Sequence, residues 1–147
     1  MHDYEGKVHI EWKDIDQSIE GILKELPMEK FDTILGLARG GMIPATILAY
    51  KTKCHNLQQL GVRTRDVDNI QYYGAPQLAG NVLIVDDIND SGLTFSSVKD
   101  YIQHHFDHDE IKTITYASLI RRSSTSFNED ITGLVADNDS WYVFPWD

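Results

Sequence analysis

Val82-Leu83-Ile84-Val85-Asp86-Asp87-Ile88-Asn89-Asp90-Ser91-Gly92-Leu93-Thr94-Phe95 is the stretch that decides the fold. Four apolar residues run into two adjacent aspartates, then a turn sequence, then a helical pattern. An apolar run of that length followed by a turn and a helix predicts a buried parallel strand over 82–85, a polar loop and a crossover helix from about Thr94 to His105. In open sheets of this kind ligands bind outside the carboxyl ends of the strands. The loop after Val85 is therefore the place to look for chemistry.

The flanking sequence repeats the alternation. Ile15, Ile19, Ile22, Leu23 and Leu26 mark one face of a helix from Glu11 to Leu26, with Asp14 and Gln17 in capping-box spacing and Pro27 as the stop. Thr33 to Leu37 reads as a strand. A helix opens near Pro44, which suits a first turn, and runs to about Lys51. Strands are predicted at Gln58–Val62, Lys112–Ile120 and Gly133–Ala136. The segment 63–80 reads as a long loop or irregular hairpin, and Arg121 to Glu129 as a polar stretch rich in serine and threonine. Strands alternating with helices imply an α/β fold with a central, mainly parallel sheet. At 147 residues one domain is expected.

Composition narrows the functions. No apolar run approaches the ~20 residues that span a bilayer, and no basic segment leads into an apolar one at the N-terminus. Cys54 is the single cysteine, so no internal disulfide forms, and a cytoplasmic location is expected. The formal charge of −10 argues against nucleic-acid binding. It also means that an anion site here needs focused donors and a divalent cation.

The 86–94 loop supplies such donors. Ser91, Gly92, Leu93 and Thr94 sit at a helix N-terminus, where free amides, hydroxyls and the dipole attract a phosphate. Asp86 and Asp87 would repel it and instead suit sugar hydroxyls or a hydrated metal ion. Asp90, between the two halves, is placed to take a proton. A P-loop ATPase is excluded because no G-x-x-x-x-G-K-[ST] occurs. A receiver domain would carry its acid pair at the first strand, not with 60 residues remaining. The remaining alternative is a plain strand-to-helix turn with capping side chains.

The run resembles the phosphoribosyl-pyrophosphate (PRPP) signature of type I phosphoribosyltransferases. The resemblance implies that fold, with a small hood formed by the chain termini and the 63–80 loop. It implies that Asp86 and Asp87 bind the ribose hydroxyls, with Asp87 on magnesium, and that Asp90 to Thr94 hold the 5′-phosphate. Ser91 stands where threonine is commoner and keeps the hydroxyl. Leu37-Ala38-Arg39-Gly40-Gly41 resembles the family's pyrophosphate loop, in which Arg39 and the amide of Gly40 would meet the diphosphate.

The last residues, Asp139-Ser140-Trp141-Tyr142-Val143-Phe144-Pro145-Trp146-Asp147, resemble the end of bacterial xanthine-guanine and archaeal hypoxanthine-guanine phosphoribosyltransferases. Trp141 would stack on a purine and the Tyr142 backbone would meet its edge, with Trp146 structural. The family's lysine for the purine 6-oxygen is replaced here. Arg122 is the match and Arg121 the alternative. Gln71 stands nearest to the family's hood-loop arginine, with Arg63 and Arg65 upstream.

The implied activity is transfer of phosphoribose from PRPP to a purine, with magnesium, by a homodimer or homotetramer. A nucleotide-binding regulator of the same fold and an enzyme for another base stay open. His104, His105 and His108 read as residues of a helix end rather than a metal site.

Overall fold

A computed structural model describes every residue except Glu5 and Asp66; Asp66, inside the segment read as a loop, therefore lies outside the described residues. Two short strands, β1 (His2–Tyr4) and β2 (Lys7–His9), precede α1 (Trp12–Glu25), β3 (Thr33–Ala38) and α2 (Met42–Thr52). A hairpin of β4 (Leu57–Thr64) and β5 (Ile70–Tyr73) follows. Then come β6 (Gly80–Asn89), α3 (Leu93–His105), β7 (Ile111–Arg122), β8 (Ile131–Ala136) and β9 (Trp141–Val143). Six strands form one sheet in the order β5-β4-β3-β6-β7-β8. All its pairs are parallel except β4 with β5. β1, β2 and β9 form a separate three-stranded sheet, so the two ends of the chain meet there. The segment read as a loop or irregular hairpin thus extends the main sheet by one antiparallel strand.

The central strands are apolar because both their faces are covered. Side chains alternate along β6: Leu83 and Val85 enter a core with Ile15, Ile19 and Ile22 of α1 and Leu48 of α2, while Val82 and Ile84 enter a second core with Phe95, Val98 and Ile102 of α3. Each such fully buried side chain contributes roughly 1.5–3 kcal/mol. α1 starts at Trp12, with Glu11 as its cap and the Asp14 carboxylate accepting the Glu11 N–H at 2.8 Å. The capping box is therefore Glu11 with Asp14, not Asp14 with Gln17. Among the described residues no helix is long and apolar enough to cross a membrane.

Two departures from the sequence reading shape the site. β6 does not end at Val85 but runs on to Asn89, because its backbone keeps pairing with β7 at Asp86↔Ser118, Ile88↔Ile120 and Asn89↔Arg121. The acid pair is thus strand, not loop. β7 correspondingly continues through Arg122.

Candidate active site

The carboxyl ends of the parallel strands carry the expected residues. A cleft of about 1150 Å³ opens there, lined by Arg39 and Gly40 after β3, Arg63 of β4, Asp87 of β6, and Trp146 and Asp147 at the end of the chain. The Ala38–Arg39 peptide bond is cis. Gly40 lies against the Asp87 carboxylate: a Cβ there would sit 2.7 Å from Asp87 Cγ and closer still to its oxygen. Gly41 is equally confined, since a Cβ would meet the carbonyls of Leu37 and Val85 at 2.6 Å. These two glycines let the β3 loop touch the acid pair.

Asp86 Oδ1 accepts the Asp87 N–H at 2.8 Å, and Asp87 Oδ1 accepts the Ile88 N–H at 2.8 Å. Burial pushes the Asp86 carboxyl well above its ordinary value, and the charge of Asp87 adds to this. Burial likewise pushes Asp87 up, opposed by its hydrogen bonds and reinforced by the charge of Asp147. Among the described residues no basic side chain forms an ion pair with either aspartate. Two crowded carboxylates without a basic partner fit a divalent cation or sugar hydroxyls. No cluster of three or more metal-type side chains occurs among the described residues.

Beyond the acid pair the chain turns into α3. Gly92, the cap of the helix, has φ +92°, a left-handed conformation that favours glycine. The Ser91 hydroxyl accepts the Leu93 N–H at 3.3 Å. The first turn of a helix leaves its N–H groups without intrahelical partners, so Ser91 to Thr94 present donors that an anion could take.

Asp90 and Arg122, placed by the sequence reading at different parts of the site, are in direct contact. Arg122 Nε donates to Asp90 Oδ1 at 2.6 Å. Its Nη1 and Nη2 donate to the carbonyls of Asn138 and Ser140 at 2.5 and 3.1 Å. The guanidinium also lies 5.4 Å from the centre of the Tyr142 ring. Arg122 thus ties the turn after β6 to the segment that leads into β9. Arg121, its neighbour on the strand, is instead ion-paired with Glu129 at 3.1 Å. Successive strand residues face opposite ways, and the register puts Arg122 on the site side.

Trp141 is 68% exposed in β9 and is not part of the cleft lining, whereas Tyr142 beside it is buried and its hydroxyl donates to Asn138 Oδ1 at 3.1 Å. Trp146, read as structural, packs against Trp12 and stacks on Phe144 at 4.9 Å, yet it also walls the cleft. Gln71 pairs with Arg63 across the hairpin, and it is Arg63 that lines the cleft. Asp147, which ends the terminal aromatic run and has no role in the sequence reading, also lines the cleft. His104 and His105 bond the carbonyls of Asp100 and Tyr101 four residues back, as expected of a helix end.

Comparison with known proteins agrees with this fold. The phosphoribosyl transferase domain family matches residues 11–147. The chain is 27% identical to the xanthine-guanine phosphoribosyltransferase of Cereibacter sphaeroides over 98% of its length and 89% of that protein. It is 26% identical to the same enzyme of Idiomarina loihiensis, covering 94% and 85%. The crystal structure of a purine phosphoribosyltransferase from Pyrococcus horikoshii superimposes with a TM-score of 0.83 at 28% identity, over 97% of this chain and 94% of that one. The Helicobacter pylori xanthine-guanine-hypoxanthine enzyme shares the fold, with a TM-score of 0.79 at 21% identity over 95% and 93%.

Proposed function

This chain belongs to the phosphoribosyl transferase domain family, and from that premise we propose that it transfers a 5-phosphoribosyl group from PRPP to a 6-oxopurine. The products are the nucleoside 5′-monophosphate and diphosphate. The observation that carries this reading is the Arg122 clamp, which joins Asp90 at the phosphate turn to the 138–140 segment beside the aromatic pair.

On this reading the Arg39 guanidinium and the Gly40 amide bind the diphosphate in the cleft. Asp86 and Asp87 accept from the ribose hydroxyls, and Ser91, Gly92, Leu93 and Thr94 hold the 5′-phosphate. Asp87 would hold a magnesium ion, whose chemistry there is neutralisation of the leaving diphosphate's charge. Trp141 offers its exposed face to the base, the Tyr142 backbone meets the base edge, and Arg122 donates to the 6-oxygen. The ribose–diphosphate bond breaks as the bond to the purine ring nitrogen forms, through an oxocarbenium-like state. Asp90 takes the proton that the imidazole ring gives up. The small sheet from the chain ends and the β4–β5 hairpin act as the hood that excludes water.

The test is diphosphate release from PRPP and magnesium with guanine, hypoxanthine, xanthine, adenine and the pyrimidines. Release with a 6-oxopurine is expected. Release only with another base class would assign a different acceptor, and release with none would point to a binding protein. Asp90→Asn is expected to lower kcat by roughly 10²–10⁴ with little change in PRPP affinity. Equal loss of both would refute its role as proton acceptor.

A further inference from the structure

The segment between β7 and β8 looks in sequence like a solvated Ser/Thr-rich loop, yet it is built around a buried carboxylate. Glu129 is 4% exposed. Its Oε2 accepts from Asn89 Nδ2 at 2.7 Å and from Ser118 Oγ at 2.9 Å, and its Oε1 faces Arg121 Nη1 at 3.1 Å. Burying a charge is expensive even when it is paired, and apolar packing of similar volume is often as stable or more so. Bulk stability is therefore a weak reason for a carboxylate here. A carboxylate offers only acceptors, so it can take several donors from separate elements at once and fix their relative positions.

What it fixes is the approach to the phosphate turn. Asn89 directly precedes Asp90, and its amide is held on both sides. Its Nδ2 also donates to the Phe127 carbonyl at 2.7 Å, and its Oδ1 accepts from Thr125 Oγ1 at 2.9 Å. The same segment supports the turn from beneath. The Ser126 N–H and hydroxyl both donate to the Ser91 carbonyl, at 3.0 and 2.8 Å. The Phe127 amide presses on Gly92 so closely that a Cβ there would lie 2.6 Å from its nitrogen. The Phe127 ring is locked between Phe95 and Tyr116, at 5.5 and 5.1 Å.

We infer that Glu129 is a positioning residue: through Asn89 and the 125–127 backbone it sets the Asp90–Gly92 turn in the shape that takes the 5′-phosphate. The inference rests on the reading of Ser91 to Thr94 as the phosphate cradle.

Ribose 5-phosphate, which needs neither base nor diphosphate, is the probe, and its Kd is read by calorimetry beside a thermal melt. Glu129→Ala weakens binding roughly tenfold, because buried charged hydrogen bonds are lost next to the turn. Glu129→Gln keeps an oxygen for Asn89 and Ser118 and holds the loss to about threefold. A Glu129→Ala protein that melts lower but binds ribose 5-phosphate within twofold of the parent would overturn the inference. Should that variant not fold, Thr125→Val decides: it removes the 2.9 Å donor to Asn89 together with the longer 3.4 Å contacts to the Phe127 backbone, and a loss of about threefold supports the inference while unchanged binding overturns it. The double variant Ser91→Ala/Thr94→Val tests the underlying reading separately. If it binds normally the cradle lies elsewhere; if it binds weakly while the Glu129 and Thr125 variants bind normally, only the positioning role is lost.

Discussion

Gly40→Ala separates the geometry of the cleft from the stability of the fold. The backbone at Gly40 is one that alanine adopts without strain, and replacing glycine there restricts the unfolded chain by about 0.4–1 kcal/mol in favour of folding. Against this, the new Cβ would stand 2.7 Å from Asp87 Cγ, where ordinary contact begins at 3.4 Å. The carboxylate carbon must therefore retreat by about 0.7 Å, and the nearer oxygen by more. The retreat disturbs the bond from the Ile88 N–H, worth about 1 kcal/mol. The two stability effects nearly cancel, so the melting temperature stays within a few degrees. Activity does not cancel. A reactant or metal-binding group displaced by about 1 Å costs on the order of 10²-fold, so kcat/KM for PRPP is expected to fall roughly 10–100-fold, or about 1.4–2.7 kcal/mol. The assay is initial-rate kinetics with PRPP varied at saturating base, in the parent, Gly40→Ala, Asp87→Ala and double-variant proteins. Once Asp87 is cut back to alanine the clash is gone, so the Gly40 change should add little. A single variant within threefold of the parent would refute the argument. So would a full Gly40 effect in the Asp87→Ala background, because that would locate the glycine's role in its own backbone rather than in Asp87.

Asp86→Asn is expected to melt higher than the parent at pH 7. The folded carboxyl is held well above its ordinary value of 3.8, so the folded protein keeps a proton that the unfolded chain has lost, and parental stability falls as pH rises through that window. Each pH unit in it removes up to about 1.4 kcal/mol, at roughly 2–4 °C per kcal/mol. The asparagine oxygen can still accept the Asp87 N–H, and the two melting curves should converge below about pH 4; a variant that melts lower at pH 7 would contradict this. Arg122→Ala releases Asp90 and both carbonyls of the 138–140 segment, and is expected to raise KM for the base about tenfold while leaving ribose 5-phosphate binding within twofold. Arg122→Lys, which keeps the charge but cannot bridge three acceptors in a fixed plane, should fall between the two. Equal loss of base and ribose 5-phosphate binding in Arg122→Ala would show that the clamp shapes the whole turn.

Val82 to Val85 could be read as a buried strand because hydrophobicity reports burial, and these four residues are buried. The same reading stopped short of Asp86 to Asn89, since ladder hydrogen bonds join backbones and are blind to side-chain polarity. The short strands β1 and β2, three residues each, carry too few side chains for a period to show. The placement of Arg39, Gly40 and Asp87 at one cleft was legible because they lie in contiguous motifs after strands. The choice between Arg121 and Arg122 was not, because it depends on strand register, and neither was the cleft position of Trp146 and Asp147. Glu129 was least legible of all: its partners are Asn89, Ser118 and Arg121, and nothing in a run of serines and threonines announces a buried acid.

The buried carboxyls of this protein divide by what faces them. Burial raises Asp86, Asp87 and Glu129 alike. At Glu129 burial is opposed by an amide, a hydroxyl and a guanidinium from other parts of the chain, which offset it in part. Asp86 and Asp87 accept the next backbone N–H groups, bond one another side chain to side chain, and Asp87 also bonds the Trp146 side chain, yet no basic side chain among the described residues pairs with either. Their desolvation is compensated only in part by these bonds, and donors or a cation arriving in the cleft would offset more of it. In a chain of net charge −10 that arrangement makes the anionic substrate depend on what it brings with it. A phosphate without a cation meets repulsion from the acid pair, while a cation-bearing diphosphate or a pair of sugar hydroxyls meets acceptors already in place. Burial outweighs the internal partners at all three acids, but of the three it is Asp87 that lines the cleft, where an arriving cation or donor could offset the rest.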